Sequence, residues 1–221
     1  MGSFQQLAIW VVPVLFAITL HEVAHGWIAG KLGDPTARRL GRLSLNPIKH
    51  VDPIGTVVVP LLLFLTGGFI FGWAKPVPVT YENLRNPKRD MALVALAGPG
   101  ANLAMALFWA LLIKLAISLP GLPMAAVLRL IAIGKAGVII NLILMVLNLL
   151  PIPPLDGSRV LSGLLPDRYG YQLARIEPYG FVILLLLLVT GVLGSLLWPA
   201  VSGMMRGIGG LMGIHSIIGL F

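Results

Sequence analysis

The sequence predicts an all-α polytopic membrane protein with about four to six transmembrane helices. It also predicts one unusual segment, re-entrant or extended within the membrane, at about 53–79. Three observations lead there. Hydrophobic residues make up 57% of the 221 and charged residues only 11%, with a mean hydropathy of +0.94; soluble domains are far less one-sided. Charge-free runs of the size a bilayer demands, about 20 residues, occur at 1–20, 53–74, 91–113, 136–155 and 178–205. Glycine, proline and basic residues gather between those runs, where loops belong.

The first helix is expected from about Phe4 to Leu32, stopped by Gly33-Asp34-Pro35. Residues 1–20 lack the basic start and small-residue cleavage site of a signal peptide, so this helix should be retained. The second helix follows Asn86-Pro87-Lys88-Arg89-Asp90 and reaches about Leu119, where Pro120, Gly121 and Pro123 break it. Residues 124–135 carry Arg129 and Lys135 and read as interfacial. The third span runs to Leu150 and ends at Pro151-Ile152-Pro153-Pro154. The fourth, about 180–198, is rich in Leu and Val, and 199–221 reads as an interfacial or short membrane helix. All of this forms one membrane-embedded domain, residues 1–221, with a core at about 4–160 and C-terminal helices at about 178–221.

The run 53–74 departs from this pattern. Pro53, Gly55, Pro60, Gly67, Gly68 and Gly72 punctuate it, and Val57-Val58-Val59 and Phe69-Ile70-Phe71 suit extended chain. A re-entrant hairpin or membrane-embedded strands are the two readings, with Lys75-Pro76-Val77-Pro78-Val79 continuing in extended form. Charge supports a return to the starting side. If the run returns, twelve of the 16 Lys and Arg share one face, leaving Lys114, Arg129, Lys135 and Arg206 on the other. That asymmetry puts the basic loops in the cytoplasm and the N-terminus outside, in a cell membrane. The net charge of +8 thus reflects topology and anionic lipid rather than nucleic acid. There is no cysteine, which excludes disulfides, thiol catalysis and cysteine-type zinc sites.

His21-Glu22-Val23-Ala24-His25 lies in the first helix. Residues four apart share one helical face, so both imidazoles can reach one metal ion, and Glu22 beside them can act on a water held by that ion. Ionisable groups in a membrane helix mark function by default. A catalytic zinc takes three protein ligands and keeps a position for water. Candidates for the third are Asp156, Asp52, His50, Glu177 and His215. Context favours Asp156, because the prolines before it stop a helix near the membrane surface and the re-entrant topology puts it on the same side as His25. Each has a blander reading: Asp156 as a helix cap, His50 as a loop residue. Asn102, Asn141 and Asn148 sit in apolar helices, for helix–helix hydrogen bonding or for substrate or oxyanion contact. Gly98, Gly100 and Ala101 suit close helix packing.

His21-Glu22-Val23-Ala24-His25-Gly26, Ala97-Gly98-Pro99-Gly100-Ala101-Asn102 and Asn148 through Pro154 with Leu155-Asp156-Gly157-Ser158-Arg159 together resemble the site-2 protease family of intramembrane zinc metalloproteases, in a compact form without a PDZ-like or CBS-like domain. The resemblance implies His21, His25 and Asp156 as ligands of one Zn2+, Glu22 as catalytic acid/base, and a three-helix core with the zinc nearer the cytoplasm. The expected activity is hydrolysis of peptide bonds within or near transmembrane segments of membrane-protein substrates. The extended stretch 69–79, with Phe71 and Val77, is a candidate for holding an unwound substrate by strand addition. Two other classes remain: a membrane metal transporter, which would need further ligands along a path, and a substrate-binding scaffold, which would need no Glu22.

Overall fold

The computed structural model describes residues 3–59, 61, 62, 65 and 72–218. Helix α1 (Ser3–Lys31) carries Pro13 inside it and ends against Gly33, whose φ of +118° suits glycine. A short α2 (Thr36–Arg39) follows. After the loops come α3 (Pro87–Ser118), α4 (Met124–Asn148), α5 (Asp156–Leu164), α6 (Asp167–Ala174), α7 (Glu177–Val189), α8 (Val192–Met212) and α9 (His215–Ile218). The described residues include no β-strand.

Among the described residues, three helices are long and apolar enough to cross a membrane: Ile9–Lys31, Pro87–Ser118 and Met124–Asn148. The pair α6 and α7, bent by 64°, would make a fourth if it counts as one span. The protein is therefore an all-α, multi-pass membrane protein, at the lower end of the expected number of spans.

Helix α3 is the central post, touching α1, α4 and α5. Its Ala106, Trp109, Ala110 and Ile113 pack on Val138, Ile139 and Leu142 of α4 and on Val201, Met205 and Ile208 of α8. Small residues set this spacing. A Cβ on Gly137 would lie 2.3 Å from the Trp109 ring, and one on Gly134 2.5 Å from Ile113. Apolar helices in lipid gain little from hydrophobicity alone, so this close approach is what holds them together.

Two expectations are corrected. Residues 124–135 are not a separate interfacial piece; they are the opening turns of α4. The expected helix at 180–198 is cut at Gly191, whose φ is +76°, so α7 stops at Val189 and α8 starts at Val192 and passes through Pro199. Leu and Val crowd both sides of Thr190-Gly191 and no charge falls there, which hides the break from a hydropathy reading.

Among its described residues, the start of the punctuated run is helical, not the strand that one of its two readings expected. Pro53–Val58 is a π-helical turn. The Asp52 carboxylate caps it, accepting from the N–H of Ile54 at 3.0 Å and of Gly55 at 2.7 Å, with Pro53 in the first turn. Residues 72–80 form neither helix nor strand, and Thr80 at their end is extended. The two ends of the run meet: Trp73 N–H donates to Gly55 O at 3.0 Å, and Lys75 N–H to His50 O at 2.9 Å. The chain thus leaves and returns at one end of the molecule. Phe69, Ile70 and Phe71 lie outside the described residues.

Candidate metal centre

His21 and His25 project from one face of α1, and Asp156 is the first residue of α5. The prolines of 151–154 end the chain's run through α4 and turn it back toward α1. Gly157 permits the turn: a Cβ there would lie 2.3 Å from Leu149 O. The ligand atoms converge. His21 Nε2 and His25 Nε2 are 3.0 Å apart, and Asp156 Oδ2 is 3.2 Å from the first and 3.3 Å from the second. Among the described residues this trio is the group of three His, Asp or Glu whose donor atoms gather closely enough to hold a metal.

The opposite nitrogens fix the rings. His25 Nδ1–H donates to the Val94 carbonyl at 2.7 Å, and His21 Nδ1–H to Asn102 Oδ1 at 2.6 Å. The Asn102 amide is oriented by its own donations, to Ala17 O at 3.2 Å and Asn141 Oδ1 at 3.0 Å. Asn141 in turn donates to Gly137 O at 2.8 Å. A carbonyl can only accept, so Nδ1 carries the proton on each ring, and in the neutral form this leaves the Nε2 lone pair turned inward. Two lone pairs then face each other and a carboxylate oxygen that is buried without a hydrogen-bond partner. Such an arrangement calls for a cation. In a tetrahedral zinc site the ligand atoms lie roughly 3.3 Å apart, so this donor set and spacing fit zinc.

Gly98 of α3 completes the cradle. A Cβ at that position would come within 2.4 Å of His25 Nε2 and 2.5 Å of His21 Cε1. Gly100, two residues on and so on the other side of the helix, meets nothing within 4 Å and is not needed for packing here.

Glu22 lies beside the trio. Its Oε2 accepts the Val77 N–H at 2.7 Å, and no described group occupies its other oxygen. His21, Glu22, His25, Asp156, Asn148 and Val77 line one cavity of about 170 Å3, together with Tyr81 and Arg159. A second cavity of about 530 Å3 adjoins it, sharing Tyr81, Met91 and Arg159 as walls. The Arg159 guanidinium donates to the Tyr81 hydroxyl and lies 5.5 Å from its ring centre.

The other sequence candidates fall elsewhere. Asn102 does not line the cavity; it orients His21 from behind. Asn148 lines the cavity and donates to Leu144 O at 3.0 Å. Asp52 is a helix cap, and His50, buried at the end of the 3-10 turn Pro47–His50, donates through Nε2 to Ser44 O at 2.8 Å. Glu177 begins α7 and His215 begins α9, apart from the trio. The sequence reading missed the Val94 carbonyl, for which no side-chain signal exists. It also missed Arg159, which stands three residues after Asp156 on the same helical face.

The model of peptidase family M50 matches residues 116–190. A Bacillus subtilis (strain 168) protein named "Putative zinc metalloprotease YwhC" is 39% identical over 194 residues, covering 87% of this chain and 85% of that protein. "Putative zinc metalloprotease Rip2" of Mycolicibacterium smegmatis is 33% identical over 80% of this chain, which spans 64% of that protein. The protein of the same name from Mycobacterium tuberculosis H37Rv is 32% identical over 82% of this chain, which spans 66% of it. No solved structure matches the chain significantly.

Proposed function

Because the chain belongs to peptidase family M50, the site-2 proteases, we propose that it hydrolyses peptide bonds within or near the transmembrane segments of membrane-protein substrates. Zinc-dependent peptidase chemistry comes with the family, and several apolar helices make the chain a multi-pass membrane protein. The finer reading assigns His21, His25 and Asp156 as zinc ligands and Glu22 as catalytic acid/base. One observation carries it: three lone-pair atoms converge, 3.0 to 3.3 Å apart, inside a bundle of apolar helices, with a free carboxylate oxygen next to them.

When bound, zinc supplies a Lewis acid that polarises the scissile carbonyl and lowers the pKa of water to about 7. Glu22 then takes the proton of the attacking water and returns it to the leaving amine. Its anchored Oε2 keeps the carboxylate turned toward the cavity, so the other oxygen meets water without first searching rotamers. Asn102 and Val94 hold the imidazoles so that both present Nε2. Asn148, at the cavity wall, is within the region a substrate amide would occupy.

A helical substrate has its amides locked in hydrogen bonds and must unwind locally before attack. The non-helical stretch 72–80 lines the cavity with Pro76, Val77 and Val79 and offers it a partner, with Val79 N–H engaged by no described group. Water reaches the site through the 530 Å3 cavity, past Tyr81 and Arg159. The N-terminus lies outside and the centre opens toward the cytoplasm, as the basic loops require.

The test is cleavage of a panel of single-span substrates in proteoliposomes by wild type and Glu22→Gln. The reading expects wild type to cut within or beside the span and Glu22→Gln to retain zinc while losing cleavage. Cleavage by Glu22→Gln at the wild-type rate would remove Glu22 from the chemistry.

A further inference from the structure

We propose that the backbone N–H of Val77 is a positioning group for the proton-transferring carboxylate of Glu22, built into a strap that cannot shift register. This rests on the proposed role of Glu22 and names a group that the chemistry itself does not require.

Four observations carry it. The Val77 N–H meets Glu22 Oε2 at 2.7 Å across 55 positions of sequence. Pro76 and Pro78 flank Val77, and neither has an N–H. Val77 is therefore the single backbone donor over 76–78, and a slip of one residue in either direction would present Glu22 with no donor. The Val77 side chain is itself buried against Gly26, one residue beyond His25, where a Cβ would lie 2.7 Å from Val77 Cγ1. Finally, the strap is tied at both ends. Before Val77, Lys75 N–H donates to His50 O at 2.9 Å, and Arg42 Nη2 donates to Lys75 O at 3.0 Å. After it, Thr80 N–H donates to Asp34 Oδ2 at 2.7 Å, and Asp34 is fully buried.

A glutamate side chain has three torsions and samples many positions on a helix. Holding one oxygen by a fixed amide leaves the second aimed into the 170 Å3 cavity with little left to order. A serine or lysine donor could make the same bond, but it would add mobility and a polar group in an apolar setting. A backbone N–H between two prolines adds neither.

The decisive experiment replaces the amide at residue 77 by an ester, using the α-hydroxy acid counterpart of valine in the full-length protein. This deletes the N–H and keeps the side chain. The control is the matching replacement at Leu45, which is exposed, lies outside the cavity lining and has an N–H with no described partner. Loss of a hydrogen bond to a charged group predicts a fall in kcat of about ten- to a hundredfold at position 77. KM and bound zinc should not change, and the Leu45 ester should keep the wild-type kcat. Wild-type kcat in the Val77 ester, or an equal loss in both esters, would overturn the proposal. A second readout needs no activity: hydrogen exchange at the Val77 amide should speed up in Glu22→Ala while the Val94 and Thr80 amides keep their rates. Unchanged exchange at Val77 would show that Glu22 does not hold it. A wild-type protein that holds zinc yet cleaves nothing would contradict the protease reading, and the exchange result would still decide the contact.

Discussion

At the scale of single residues, Gly98 and Asn102 make the sharpest demands. Gly98 exists in a helix, where glycine costs about 1 kcal/mol relative to alanine. It does so because any Cβ would press into the two imidazoles. Gly98→Ala should therefore lose zinc and cleavage, while Gly100→Ala, facing open space, should keep both; bound metal and a melting curve measured on each variant check this. Asn102→Ala deletes the acceptor that fixes the His21 tautomer and leaves Asn141 Oδ1 without its donor. Competition with a chelator should show zinc affinity lowered by about ten- to a hundredfold. Much of this was legible in the sequence. His21, Glu22 and His25 stood out because ionisable groups are rare in apolar runs, and Asp156 was favoured among five candidates only by the prolines before it and the returning topology. Asn102 was visible as a polar oddity but its role was not, since only the fold shows that its oxygen faces His21. The Val94 carbonyl and the Val77 amide were illegible, because every residue has a backbone and nothing in a side chain says where it will point.

At the scale of elements, the corner between α1 and α2 and the strap after Trp73 depend on Asp34. Its carboxylate accepts from Thr36 N–H at 3.1 Å, Thr80 N–H at 2.7 Å and Asn83 Nδ2 at 3.0 Å. Burial pushes the Asp34 carboxyl up, but the hydrogen bonds from Asn83, Thr36 and Thr80 outweigh it and hold the group below its ordinary value of 3.8. A depressed value means that the stability it contributes is fully present above that ordinary value and is lost as the pH falls through the lower folded one. Asp34→Asn should therefore melt below wild type at pH 6, and the gap should narrow as the pH is taken down past the ordinary carboxyl range. A gap that widened on acidification would contradict the clasp. Element boundaries show where sequence reading succeeds. The ends of α1 and α3 were marked by Gly33-Asp34-Pro35 and by Pro120 with Gly121, which forbid helix on local grounds. The helical start of 53–74 was missed, because Val57-Val58-Val59 has strand propensity and the cap at Asp52 outweighs it.

At the scale of the whole molecule, the meeting of Gly55 with Trp73 ties the run between them into an excursion that returns to its origin. Two readings, a re-entrant hairpin or embedded strands, were open in the sequence, and composition could not decide between them. Because the natural chain has no cysteine, single cysteines can report the resulting topology. Reagent confined to the cytoplasmic side should label Arg39→Cys and Arg168→Cys alike and should spare Leu122→Cys. Labelling of Arg39→Cys and Arg168→Cys from opposite sides would mean that the excursion crosses the membrane. The same return brings α5, and with it Asp156, to the His25 end of α1, so the topology and the metal centre stand or fall together.

That dependence makes one measurement the most direct: zinc per chain in purified wild type, Glu22→Gln and Asp156→Ala, read alongside cleavage of the same transmembrane substrate. The account predicts one zinc in wild type and in Glu22→Gln, a strongly reduced content in Asp156→Ala, and cleavage by wild type alone. A full complement of zinc in Asp156→Ala would contradict the three-ligand centre and the return of the chain that assembles it.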